Sequence, residues 1–106
     1  MAIAETPFTI HGSKSLVLGY GKIGKILSKD LYALGAQTYV EARKYADLAM
    51  IEGHGYEPLP LDNLKDHIHE FDIIFNTIPS LILDDEILTK VKKDALIIDL
   101  ASKPGG

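Results

Sequence analysis

The chain has 106 residues, a formal net charge of −4, 46% hydrophobic and 25% charged residues, the makeup of one globular domain with a single modest core. Lys and Arg are spread along the chain in no run longer than two, which removes the electrostatic case for nucleic acid, and no apolar run nears the roughly 18 residues that cross a bilayer. The absence of cysteine excludes disulfides, thiolate metal sites and thiol catalysis; with a start, MAIAETPFTIHGSK, that lacks the order of a signal peptide, a cytoplasmic location is expected.

Short apolar runs alternate with segments of helical period, as stacked β-α units do. Ser15 to Leu18 reads as a first strand, and from Lys22 the apolar positions Ile23, Ile26, Leu27, Leu31 and Leu34 keep helical spacing up to Gly35, a good stop. Gln37 to Val40 reads as a second strand and Ala46 to Glu52 as a second helix closed by Gly53 and Gly55. Tyr56 to Leu59 is a weak third strand, whose Pro58 suits only a sheet edge. Asp62 is expected to cap a helix through Glu70, followed by a fourth strand over Asp72 to Asn76. Asp84 or Asp85 is expected to cap a helix through Lys92, leading to a fifth strand over Ala95 to Leu100. The central runs are apolar on both faces, as strands buried between helix layers must be.

This layout predicts an α/β, Rossmann-like, doubly wound parallel sheet of order 3-2-1-4-5, with ligand bound at the carboxyl ends of strands one and four, where the winding reverses. The fifth strand has no following helix to cover it. The chain is therefore expected to be a fragment of a larger protein, cut after Gly106, with residues 1–12 as a lead-in from a missing domain and the open strand available for homodimeric edge pairing or swapping.

The stretch Leu16 to Gly24, LVLGYGKIG, joins the first strand to the first helix through Gly19, Tyr20, Gly21, Lys22, Ile23 and Gly24. In such a G-x-G-x-x-G turn the first glycine permits the tight turn, the second lets a pyrophosphate approach the backbone and the third lets helix pack closely on strand. The unpaired amides and positive dipole end of the helix suit a diphosphate. Alone the motif is weak; between a strand and a helix it points to dinucleotide binding. Tyr20 and Lys22 are expected to border the pyrophosphate through their backbones.

The end of strand two decides which dinucleotide. Glu41 lies 17 residues beyond Gly24, near the usual interval of about 20 for the acid that accepts the adenosine ribose hydroxyls of NAD. In an Ala-Arg-Lys pattern, however, Ala42 holds that acidic position, and Arg43 and Lys44 face the 2′-phosphate of NADP. NADP is favoured, with NAD the alternative. Asn76, Thr77, Ile78 and Pro79 leave strand four, and Ala101, Ser102 and Lys103 leave strand five, where nicotinamide and its ribose would lie. Asp99, inside the run ALIIDL, is expected to be buried and to need donors. The histidines, His11, His54, His67 and His69, are expected to face solvent, and no catalytic or metal-binding signature is present.

Taken together, TIHGSK at 9–14, LVLGYGKIG at 16–24, ARK at 42–44, DIIFNTIPS at 72–80 and IIDLASKPGG at 97–106 resemble the nucleotide-binding domain of the dipicolinate synthase A-subunit family. The resemblance implies an NADP- or NAD-dependent oxidoreductase that oxidises a dihydrodipicolinate-type precursor, a small dicarboxylate, to dipicolinate in the mother cell of a sporulating bacterium. It also implies a separate substrate domain and a second polypeptide, the dipicolinate synthase B-subunit. By the same resemblance the cofactor role falls on Gly19, Gly21, Gly24, Arg43, Lys44, Thr77, Pro79, Ser102 and Lys103. Glu41 departs from this pattern by bringing a negative charge to the phosphate site. Glycine turns of this kind also occur in 2-hydroxyacid and methylene-tetrahydrofolate dehydrogenases and adenosylhomocysteinases, and a dinucleotide-sensing regulatory module without chemistry is the reading from another class.

Overall fold

The structure, a computed structural model, describes residues 10–79 and 83–100. Five strands form one parallel sheet in the order β3-β2-β1-β4-β5, the order expected from the sequence: β1 Lys14–Leu18, β2 Gln37–Ala42, β3 Glu57–Pro60, β4 Ile73–Asn76 and β5 Leu96–Asp99. Strand β1 is central, and its apolar SLVL run is fully buried because helices cover both of its faces. In register, Leu18 lies beside Glu41 of β2 and beside Asn76 of β4, so the three strand ends that carry the predicted site finish side by side.

Helix α1, Lys22–Ala33, and helix α2, Tyr45–Gly53, pack on one face. Their Leu27, Leu31, Leu48 and Ile51 close over Val17, Val40, Ala42 and Phe75. On the other face lie Leu64 and Ile68 from the β3–β4 crossover, Phe71 just before β4, and Ile87 from the segment before β5; they close over Leu16, Leu18 and Ile74. Burying such side chains removes apolar surface from water at about 25 cal/mol per Å2, and this two-sided core holds the strand ends in place. Pro58 sits in β3 at the sheet edge, where its missing amide breaks no ladder.

Several expectations from the sequence are corrected here. The segment 61–70 is not one helix capped by Asp62: a 3-10 turn over Leu61–Asn63, a single α-turn α3 over Leu64–His67 and a second 3-10 turn over Ile68–Glu70 follow one another. Asp62 lies inside the first turn and caps nothing. The helix α4, Asp85–Leu88, is capped by Asp84, whose Oδ1 accepts from the Ile87 amide at 2.9 Å, but it stops four residues short of Lys92. Beyond it the chain tightens into turns, with the Lys90 amide donating to the Ile87 carbonyl at 2.9 Å. As expected from the order 3-2-1-4-5, strand β5 lies at the sheet edge, with Leu96 43% and Ile97 38% exposed, while Ile98 alone packs inward.

The carboxylate of Asp99 is exposed as well, and Asn76 Nδ2 donates to it at 3.3 Å. His11, His54 and His69 are exposed, as expected, and His67 is partly so; three of the four also have neighbours. His67 Nδ1 lies 3.0 Å from Glu70 Oε2, the His54 ring stacks on Tyr56 at 5.7 Å, and His11 lies against Gly35.

At the amino end of the sheet, opposite the predicted site, Lys14 Nζ pairs with Glu70 Oε1 at 2.6 Å and lies over the rings of Tyr39 and Phe71. Asp72 accepts from the Lys14 amide at 3.0 Å and pairs with Lys92. Hydrogen bonds from Lys14 and His67 hold the Glu70 carboxyl down at about 2.

Candidate functional site

The turn between β1 and α1 has the backbone that its glycines predict. Gly19 has φ +102°, a conformation that L side chains rarely adopt, and a Cβ there would meet Ile78 Cγ2 at 2.6 Å. A Cβ on Gly24 would lie 2.2 Å from the Gly19 carbonyl oxygen, so only glycine lets α1 seat this closely on the strand end. Gly21 has nothing within 4 Å of where its Cβ would be, which leaves its outer face open to a ligand. Below the turn, the Thr77 hydroxyl donates to the Leu18 carbonyl at 2.7 Å and ties β4's exit to β1's.

Helix α1 begins on Gly21 with no side chain capping its amides and no acidic residue in its first turn. By contrast, α2 and α4 both carry acids in their first turns. The amino end of α1 thus keeps unpaired donors and an uncompensated positive dipole end, the condition in which a helix start accepts an anion.

In front of this turn lies an open cleft of about 470 Å3. Gly19, Tyr20 and Gly21 form its floor, Glu41, Arg43 and Lys44 one wall, and Ile78 and Pro79 the other. Lys22 and Ile23 are exposed on the first turn of α1 beside it, and Gly24 is buried beneath. The Tyr20 side chain is buried against the α1–α2 core, with Lys25 Nζ 5.5 Å from the ring centroid, and burial pushes its hydroxyl above its usual value. Arg43 and Lys44 are exposed at the mouth, and their side chains make no hydrogen bond or ion pair among the described residues. Asn76 and Thr77 lie beside the cleft, occupied with Asp99 and Leu18 respectively. Ala101, Ser102 and Lys103 lie outside the described residues.

Two features were not foreseen. Asp47, in the first turn of α2, reaches the same cleft mouth as Arg43 and Lys44; its position four residues beyond Arg43, where a helix leaves β2, was the available signal. Glu41 is 1% exposed, and its Oε2 has no hydrogen-bond partner. Burial pushes the Glu41 carboxyl above the usual carboxylate range, with the Arg43 charge and the Gly19 amide pulling the other way.

The residues present fit a dinucleotide: a glycine cradle that admits no Cβ at two points, an uncapped helix start, and cations at the far wall. Comparison with known proteins points the same way. Residues 2–104 match the family described as Shikimate / quinate 5-dehydrogenase. The chain is 46% identical over 106 residues to the dipicolinate synthase A-subunit of Bacillus subtilis, covering all of this chain and 36% of that protein. The crystal structure of the dipicolinate synthase A chain from Bacillus subtilis superposes with a TM-score of 0.90 over 97% of this chain and 35% of its own. The crystal structure of the A-subunit from Bacillus halodurans, 40% identical, superposes with a TM-score of 0.90 over 99% of this chain and 36% of its own. The chain thus spans about a third of the length of these relatives. It carries a dehydrogenase-type nucleotide-binding domain similar throughout its length to that of the dipicolinate synthase A-subunit, and it belongs to the shikimate/quinate 5-dehydrogenase family.

Proposed function

We infer that this chain binds a nicotinamide dinucleotide, NADP in preference to NAD, as the cofactor domain of an oxidoreductase that converts a dihydrodipicolinate-type precursor to dipicolinate. The observation that carries the reading is the start of α1: uncapped amides beside a glycine turn whose outer face is open, at the point where the sheet's winding reverses. When bound, the nicotinamide would supply the hydride acceptor for this oxidation. The chain's own residues bind and orient. The amides of Gly21, Lys22 and Ile23 meet the diphosphate; Asn76 and Thr77, with Ala101, Ser102 and Lys103, flank the nicotinamide end. The small dicarboxylate substrate and the acid or base that serves it belong to a separate domain of the whole protein, so this chain alone holds the cofactor without turnover. The whole enzyme works in the cytoplasm of a sporulating mother cell with the dipicolinate synthase B-subunit.

The preference for NADP rests on Arg43 and Lys44, two exposed cations without committed partners at the end of β2, where Ala42 stands in the acidic position. A hydrogen bond between charged groups contributes about 1.5–3 kcal/mol, so Arg43→Ala should weaken NADPH by about 10- to 100-fold more than NADH. Parallel calorimetric titrations of both proteins measure this. Equal losses for the two cofactors would remove Arg43 from phosphate recognition.

A further inference from the structure

The Glu41 carboxyl is out of place for a phosphate site. It is 1% exposed, and Oε2 is the one buried side-chain polar atom among the described residues that lacks a hydrogen-bond partner. Paired strands place the aliphatic Leu18 and Leu59 beside it. Towards the cleft, Arg43 and Lys44 follow just after its own strand, Asp47 lies on α2, and Tyr20 and the Gly19 amide come from the glycine turn; the exit of β4 contributes only the aliphatic Ile78 and Pro79. Arg43 is the cation whose charge reaches Glu41, yet the two form no ion pair. A buried carboxylate with one bare oxygen is costly on its own, and it becomes costlier when the phosphates of a dinucleotide arrive at Gly21 next to it.

A neutral carboxyl removes both costs, and the proton supplies the donor that Oε2 needs. Building on the dinucleotide reading above, we propose that Glu41 binds the nucleotide as the neutral acid, with Oε2 donating a hydrogen bond to an oxygen of the bound dinucleotide, so that binding takes up a proton from solvent. The role differs in sign from that of an ionised acid at a strand-two end, which accepts from ribose hydroxyls and would bind better as pH rises. Desolvation by the arriving ligand strengthens the effect, because it disfavours the charged form further.

The test is calorimetric titration of the chain between pH 6 and 9 in buffers of different ionisation enthalpy. NADH is the probe, since it carries no 2′-phosphate, a group that titrates near pH 6 by itself. The expected result is proton uptake on binding and an affinity that falls towards tenfold per pH unit once free Glu41 is ionised, as linkage to one proton requires. Glu41→Gln, isosteric and still able to donate, should lose the proton uptake and flatten the profile. Proton release, an affinity that rises with pH, or the same slope in Glu41→Gln would overturn the proposal. Binding with no proton linkage would overturn it while leaving the dinucleotide reading intact, whereas absence of binding by both NADH and NADPH would overturn the two together.

Discussion

Gly21 and Gly24 are three positions apart and meet opposite surroundings, and this separates stability from binding at the residue scale. Gly24→Ala drives a methyl against the Gly19 carbonyl oxygen, backbone that cannot step aside, and should cost about 2–4 kcal/mol, read as a fall in the urea midpoint. Gly21→Ala meets open space at a residue with φ −84°, so it should cost only about 0.5–1 kcal/mol, the penalty of alanine at a helix N-cap. It should nonetheless reduce dinucleotide affinity at least tenfold by filling the approach to the phosphate; unchanged affinity would move the phosphate away from Gly21. Glu41 adds a stability signature of its own. An acid whose folded value is raised loses stability as pH climbs past its unfolded value, because the unfolded chain then gives up a proton that the fold retains. Glu41→Gln should therefore raise the thermal midpoint at pH 7–8 and have little effect at pH 4.

The sequence singled out Asp99 as the uncomfortable carboxylate, and the uncomfortable one is Glu41. Asp99 sits in the more apolar run, but that run forms an edge strand, whereas Glu41 ends a strand with neighbours on both sides. Burial follows a strand's place in the sheet, which the residues flanking a carboxylate do not encode.

At the scale of elements, strand identities, sheet order and the edge position of Pro58 were all legible, because parallel strands advertise themselves as apolar runs and the winding rules leave few orders. Segment 61–70 was not. Leu61, Leu64, Ile68 and Phe71 keep helical spacing and face one core, so breaks in the hydrogen bonding between 3-10 and α turns leave the apolar pattern unchanged. The same reason hides the early stop of α4: Val91, beyond the helix, still packs on the core that Ile87 enters. Because α4 is so short, its cap matters. Asp84→Ala leaves the Ile87 amide without its acceptor and should cost about 1 kcal/mol, detectable as a thermal shift, and Asp84→Ser should recover most of it.

For the whole molecule, the candidate site and a brace of ion pairs occupy opposite ends of the sheet. The carboxyl end holds the glycine turn and the cleft; the amino end is braced by Lys14, Glu70, Asp72 and Lys92, where hydrogen bonds keep Glu70 at about 2 against an ordinary 4.5. A lowered carboxyl stabilises the fold above its unfolded value and loses that contribution as pH falls from about 4.5 towards about 2. Chemical denaturation across that window should show a decline that Glu70→Gln flattens, and a decline of equal size in the variant would place the acid sensitivity elsewhere. Glycine spacing made the cleft readable in the sequence, since each glycine there answers a separate steric need. The apposition of Asp47, Arg43 and Glu41 could not be read that way, because it depends on how α2 leaves β2.

The most direct test of the cleft as a dinucleotide site is residue-resolved: amide NMR spectra of the isotopically labelled chain during titration with NADPH. Saturable shifts are expected at Gly19 to Gly24, Glu41 to Lys44, and Thr77 and Ile78, with the Lys14 and Glu70 end of the sheet unmoved. Shifts centred away from the glycine turn, or none at saturating NADPH, would contradict a dinucleotide site in this cleft.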